Sequence, residues 1–230
     1  MNSTDAGTAR FWDRIAQRYA AKPVPDEAVY EAKLAMTRER LSHTARLLEL
    51  GCGTGTTALR LAPQVGHILA TDLSPAMIAI ASRKARATQI DNVDFECQSA
   101  ADVRLPAASV DAVLAHSLLH LLENWHAVIA NAYRTLRPEG VFVTSTVCLA
   151  DDAAWLERLA PIGRRLGLLP RMSFFRRSAL LNRLKATGFT IEHEDQPTPK
   201  RGVFVIARKP SEDRVNPINE ASETALQGQK

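Results

Sequence analysis

The chain has few cysteines. Cys52, Cys97 and Cys148 are the only three in 230 residues, far apart and odd in number. They form no CxxC pair, which argues against a disulfide framework or a zinc knuckle and points to a reducing compartment. A long hydrophobic run is also missing. No stretch approaches the roughly 18–20 uninterrupted apolar residues of a membrane span, and the most apolar part, residues 113–122, is broken by His116, Ser117 and His120. The first twenty residues lack an apolar core after a basic start and do not read as a secretory signal. These absences set a cytoplasmic protein as the expectation. No internal repeat is visible. Nearly half of the residues are apolar (46%) and 23% are charged, the balance of an ordinary globular chain with one full-sized domain.

Charge of one sign is not in great excess either, at a formal +4. The basic residues are unevenly spread, however. Between Arg158 and Lys185 lie Arg164, Arg165, Arg171, Arg176, Arg177 and Arg183, with Glu157 the nearest acid. Such a cluster suits an anionic substrate or an anionic membrane surface contacted peripherally, and equally a solvated helix face.

Short apolar strands alternate with amphipathic helices, the pattern of a parallel sheet covered on both faces. Strands are expected at residues 47–50, 68–72, 93–97, 110–115 and 141–147, and two more at about 189–194 and 203–209. Ser74-Pro75 opens a helix as N-cap and first-turn proline. Asn124 is placed to cap another, which Pro138 and Gly140 stop. The connection 196–202 is too short for a crossover helix, so the last two strands must be antiparallel neighbours. The expected layout is an N-terminal helical lid over 1–42, in which Phe11, Ile15 and Tyr19 share one face, then a domain over 43–209 with a helical, substrate-side insertion at 151–187. Residues 210–230, without aromatics, are expected to be a disordered tail.

The most informative stretch is Leu-Glu-Leu-Gly-Cys-Gly-Thr-Gly at 48–55, between a strand and a helix. Its glycines allow a sharp turn and let a ligand approach main chain. A dinucleotide fingerprint would carry glycine or alanine at the sixth position of the motif, where this chain has Thr56. Glu49 before the loop would repel a pyrophosphate but suits an α-ammonium. Asp72, ending the second strand, can accept both hydroxyls of a ribose.

With these residues in view, 46–147 resembles the class I S-adenosylmethionine-dependent methyltransferases, in particular the branch acting on small molecules, quinones and lipids. LLELGCGTGTTALRLA resembles the first motif of that family and ILATDLSPAMIAIASRKA the second. The run from Gln98 to Asn124 is similar to its third region and fourth strand, and TLRPEGVFVTSTV to its fifth-strand region. The resemblance implies an α/β, Rossmann-like seven-stranded sheet of order 3-2-1-4-5-7-6 with strand seven antiparallel and helices on both faces. It implies S-adenosyl-L-methionine as cofactor, its methionine moiety held by Glu49, Gly51, Cys52, Gly53 and Gly55, its ribose by Asp72, and its adenine by Leu73, Met77, Ser99 and Ala100. The family often has Gly-Asp where this chain has Gln98-Ser99, and a glycine in place of Glu139. Tyr19 and Lys33, on the lid, are candidates for the cofactor's carboxylate. His116 and Ser117, after the fourth strand, would meet the cofactor's methionine end and the acceptor.

His116 and His120 are candidate general bases toward a hydroxyl or thiol, or else hydrogen-bonded shapers of the pocket. Without a third ligand they are no metal site. His116-Ser117-Leu118-Leu119 stands where enzymes methylating planar amino groups of bases carry Asn/Asp-Pro-Pro-Tyr/Phe, so nucleic acid is not the expected partner. The expected activity is in-line methyl transfer to a small, amphiphilic or anionic acceptor by a monomer or homodimer. A non-catalytic adenosylmethionine-binding sensor and a nicotinamide-dependent oxidoreductase remain as alternatives.

Overall fold

A computed structural model describes residues 3–165, 168–195 and 202–211. Seven strands form one sheet of order β3-β2-β1-β4-β5-β7-β6. They are β1 Arg46–Leu50, β2 His67–Asp72, β3 Val93–Cys97, β4 Val110–His116, β5 Leu136–Thr146, β6 Thr190–Asp195 and β7 Val203–Arg208. β1 pairs parallel with β2 and β4, and β7 runs antiparallel to both β5 and β6. The expected topology is therefore the observed one. The strand order switches between β1 and β4, running outward from there in both senses, so the crevice beyond their carboxyl ends is where an open α/β sheet takes its ligand.

The helices are α1 Ser3–Ala20, α2 Glu27–Arg38, α3 Thr56–Leu61, α4 Pro75–Ala87, α5 Trp125–Thr135, α6 Leu149–Asp152, α7 Ala154–Arg165 and α8 Arg177–Thr187. One face of the sheet packs Leu48, Leu50, Val113 and Phe142 against α5 and α8 through Val128, Ile129, Leu180 and Leu184. The other packs Leu47, Ile68, Leu114 and Phe204 against α2 and α3 through Leu34, Ala58 and Leu61. None of these helices is long and apolar enough to cross a membrane.

Local signals explain most boundaries. Ser74 caps α4, its hydroxyl accepting from the Met77 amide at 3.2 Å, with Pro75 at the first position. Asn124 stands at the N-cap of α5 without a side-chain cap bond. β5 starts five residues before the expected strand, because Leu136 already pairs with Val110 before a bulge in β4. Glu139, where the resemblance noted above implies a glycine, has a left-handed φ of 65°, which a non-glycine residue adopts only at a cost. Pro161 lies inside α7 and does not end it. The two N-terminal helices pack on different partners. α1 packs through Ala16 on Met77 and Ile80 of α4, whereas α2 packs through Leu34 with α3 directly on the sheet. The expected disordered tail lies almost wholly outside the described residues, as does most of the connection between β6 and β7.

Candidate functional site

The glycine loop between β1 and α3 has three left-handed residues, Gly51, Gly53 and Gly55, with φ of 65°, 54° and 76°. They serve different ends. A Cβ at Gly55 would lie 2.8 Å from Ala81 and 2.9 Å from Phe95, so this glycine lets α3 start hard against α4 and β3. A Cβ at Gly51 would come within 2.7 Å of the Leu118 side chain. At Gly53 a Cβ would meet only the Tyr19 ring, at 3.8 Å. The loop backbone is thus bare on the side of a cavity of about 470 Å³.

Asp72 anchors that loop. One carboxylate oxygen accepts the Gly53 amide and the other the Ser74 amide, both at 2.9 Å. Burial pushes its carboxyl above the usual aspartate value, while the two amides pull it back. The carboxylate is held in place with lone pairs left over toward the cavity. Leu73, Met77, Gln98, Ser99 and Ala100 continue the wall, Met77 as a buried residue of the α1–α4 contact.

α1 closes this half of the cavity. Asp13 accepts the Ser74 hydroxyl at 2.5 Å and the Ala76 amide at 3.1 Å, tying α1 to the N-terminus of α4. Trp12 and Tyr19, two turns apart on one helix face, meet edge to face at 6.3 Å and both line the cavity. The Tyr19 hydroxyl is raised above its ordinary pKa by burial and by the Asp72 charge.

At the end of β4, His116 and Ser117 line the other half. Ser117 takes a left-handed φ of 51° while donating its amide to Ser145 O at 2.6 Å. That strain at a cavity wall is typical of a working site. The His116 ring lies parallel to Phe204 at 6.4 Å, and its Nε2 is buried without a hydrogen-bond partner. Burial, with the Lys33 charge second, lowers its pKa to about 4, so the imidazole is neutral at physiological pH. The rest of this wall is mostly apolar: Leu118, Leu121, Leu122, Ala127 and Val128, bordered by Arg171, which Glu123 holds.

Several sequence-derived candidates lie outside the cavity wall. Lys33 donates to Ser145 Oγ at 3.0 Å and sits 5.5 Å over the Phe204 ring; it is behind His116, because α2 packs on the far face of the sheet. Glu49 is buried beneath the loop, taking hydrogen bonds from the Thr57 side chain and the Ala58 amide. Its Oε2 has no partner, and burial raises its pKa to about 8. Cys52 is buried, its amide on Thr71 O at 2.9 Å. Gly55 is a packing glycine, as above. His120 turns toward the end of β5, with Nδ1 3.1 Å from Thr146 Oγ1, and burial lowers its pKa to about 4. The two imidazoles do not share the cleft: the segment after β4 is a 3-10 turn, Leu119–Leu121, so helical spacing fails there. Asp13 carried no local signal, since its partner Ser74 is 61 residues away.

The residues present fit S-adenosylmethionine. Gly53 leaves its backbone uncovered on the cavity side, Asp72 offers an oriented carboxylate, and Met77 and Leu73 supply an apolar wall.

Comparison with known proteins agrees. A family described as a methyltransferase domain matches residues 47–140. The chain is 31% identical to the O-methyltransferase resE of Aspergillus sclerotiorum, across 75% of this chain and 67% of that one. It is 35% identical to the malonyl-acyl-carrier-protein O-methyltransferase of Bacillus cereus over 144 residues, 61% of this chain. Against that relative and the next, a 27-O-demethylrifamycin SV methyltransferase, the match spans about half of their length (49% and 46%). Among solved structures, a geranyl diphosphate methyltransferase in complex with GPP and sinefungin superposes with a TM-score of 0.72 at 16% identity, covering 90% of this chain and all of that one. The chain belongs to the class I S-adenosylmethionine-dependent methyltransferases.

Proposed function

We propose that this chain transfers the methyl group of S-adenosylmethionine, by in-line displacement, to an oxygen of a small acceptor with an apolar body. The observation that carries the reading is a cavity with Asp72 and the glycine loop on one half and His116, its Nε2 buried without a partner, among the residues of the other. The relatives named above that specify an atom are O-methyltransferases, and a neutral imidazole is the base a hydroxyl acceptor needs. Arg171 is occupied by Glu123, which favours the apolar half of the amphiphilic expectation over an anionic head at this wall.

When bound, S-adenosylmethionine supplies an electrophilic methyl group on a positively charged sulfur. Asp72 would accept the ribose hydroxyls, with Gly53 and Ser74 amides holding it in one orientation. Glu49, below the loop, would answer the ammonium charge by giving up the proton that burial otherwise holds on it. Trp12 and Tyr19 exclude water from above. His116 would take the proton that the acceptor hydroxyl releases as its oxygen bonds the methyl group and the sulfur–methyl bond breaks, leaving a neutral thioether. Lys33, behind it, disfavours the imidazolium beforehand. Most of the acceleration comes from alignment and a dry site.

The reading is tested by calorimetry and by transfer of labelled methyl to a panel of hydroxylated apolar metabolites. Asp72→Asn is expected to weaken cofactor binding by about tenfold to a hundredfold, the cost of degrading two charge-assisted hydrogen bonds. Unchanged affinity would remove the ribose assignment. Tight cofactor binding with no turnover on any acceptor would favour the sensor alternative instead.

A further inference from the structure

α7 leaves large apolar side chains uncovered. Trp155, Leu159 and Ile162 keep 67%, 50% and 60% of their surface exposed, and Leu168 just beyond keeps 70%. Among the described residues, four of the five exposed large hydrophobic side chains are therefore gathered here, the fifth being Tyr19 on α1. Trp155, Leu159 and Ile162 fall at i, i+4 and i+7, one stripe of a helix. Beside the stripe, Gly163 lies close to Leu169, whose side chain a Cβ there would meet at 2.6 Å. Isolated exposed apolar residues are ordinary, whereas a contiguous exposed stripe marks a surface that something covers.

Charge narrows what that is. From Ala154 to Arg177 the sequence has six arginines against the single acid Glu157. Arg158 and Arg176 are exposed, and among the described residues neither makes an ion pair with a carboxylate. A tryptophan and branched aliphatics on one side, with arginines about them, is the composition of a helix that lies in a bilayer interface. Twelve residues span about 18 Å at the helical rise, well short of a bilayer core of about 30 Å, so α7 lies in the plane. A stable protein interface draws on roughly 20–30 residues a side, far more than this stripe presents.

We propose that α7 and Leu168 dock the protein on an anionic membrane surface, with Trp155, Leu159 and Ile162 inserted among the lipids. The chain returns from α7 directly to the cavity: Ser173 donates its amide to His120 O at 2.7 Å, and Arg171 lines the wall. Docking through α7 brings the cavity mouth to the lipid boundary, where an apolar acceptor is concentrated. The docking itself does not depend on the methyl-transfer reading, and its test uses no acceptor.

The full chain is floated with vesicles of phosphatidylcholine alone and of an equimolar phosphatidylcholine–phosphatidylglycerol mixture. The wild type is expected to float with the anionic vesicles only, and to be released by high salt. Leu159→Glu is expected to reduce binding at least tenfold and Arg158→Glu several-fold, both with unchanged circular dichroism and melting temperature because the positions are exposed. Trp155 emission should shift to the blue on binding, a change absent in Trp155→Phe. No flotation of the wild type overturns the proposal, as does equal flotation of Leu159→Glu. Concentration-dependent sedimentation that Leu159→Glu abolishes, without vesicle binding, assigns the stripe to a second copy of the chain and overturns it as well.

Discussion

His116 shows how much one side chain depends on its neighbours here. Its ring lies between the cavity and Phe204, and Lys33 stands behind it on Ser145. Burial lowers the pKa of Lys33, while the Asp195 charge raises it. Burial of the ring first, and the Lys33 charge second, keep the imidazole unprotonated. Because the folded pKa of His116 is about 4, below its ordinary 6.5, the base form persists as pH falls and is lost only near pH 4. Lys33→Met is expected to move the His116 titration upward, read by side-chain NMR with His116→Gln for assignment, and to move the acid limb of kcat/KM with it. An unmoved titration would show that Lys33 does not act through this ring. His116→Gln itself should lower kcat by about 10²–10⁴-fold, the usual contribution of a general base.

At the scale of elements, the decisive contact is α1 on α4. Two hydrogen bonds to one carboxylate, Ser74 and Ala76 to Asp13, place a negative group at a helix N-terminus, where it is favoured. The same bonds fix Trp12 and Tyr19 over the cavity. Asp13→Ala is expected to cost about 1–2 kcal/mol of stability, the range of a lost cap, and to weaken S-adenosylmethionine binding about tenfold through a loosened α1. Hydrogen exchange in α1 should rise while that of β1 and β4 stays constant. Uniform exchange across all three would make Asp13 a general stability residue rather than the tether of the lid. The strand and helix elements were largely legible in the chain because alternation, the Ser74-Pro75 start and the Gly188 stop are local signals. The separate seating of α1 and α2 was not, because both helices are amphipathic and neither says whether it will meet another helix or the sheet itself.

For the molecule as a whole, pH-dependent stability follows from what the fold buries. Glu49 has a folded pKa of about 8 against an ordinary 4.5. A carboxyl so raised favours the fold in its protonated form, so its contribution is full below about pH 4.5 and is lost as pH rises through 8. The melting temperature of the cofactor-free protein should therefore fall across that window, and Glu49→Gln should flatten the slope. Parallel slopes for the two proteins would show that Glu49 is not protonated in the fold. The histidines act oppositely: with pKa values near 4 in the fold, His116 and His120 withdraw stability as pH falls below about 6.5.

The sequence by itself determined the class of this protein through a family resemblance, which rests on the glycine loop, Glu49 and Asp72 as matters of pattern and spacing and which implied the order of strands. It also favoured the cofactor, because Thr56 after the loop and an acid before it are a statement about charge and room that needs no coordinates. The tertiary structure decided which of those residues face the cavity. Gly53 and Asp72 do; Gly55, Cys52 and Glu49 support the loop from beneath, and Lys33 and His120 turn elsewhere. A glycine that must pack and a glycine that must stay bare look alike in a string of letters. What separates them is what lies within 4 Å of the missing Cβ, supplied by β3, α4 and α1 from distant parts of the chain.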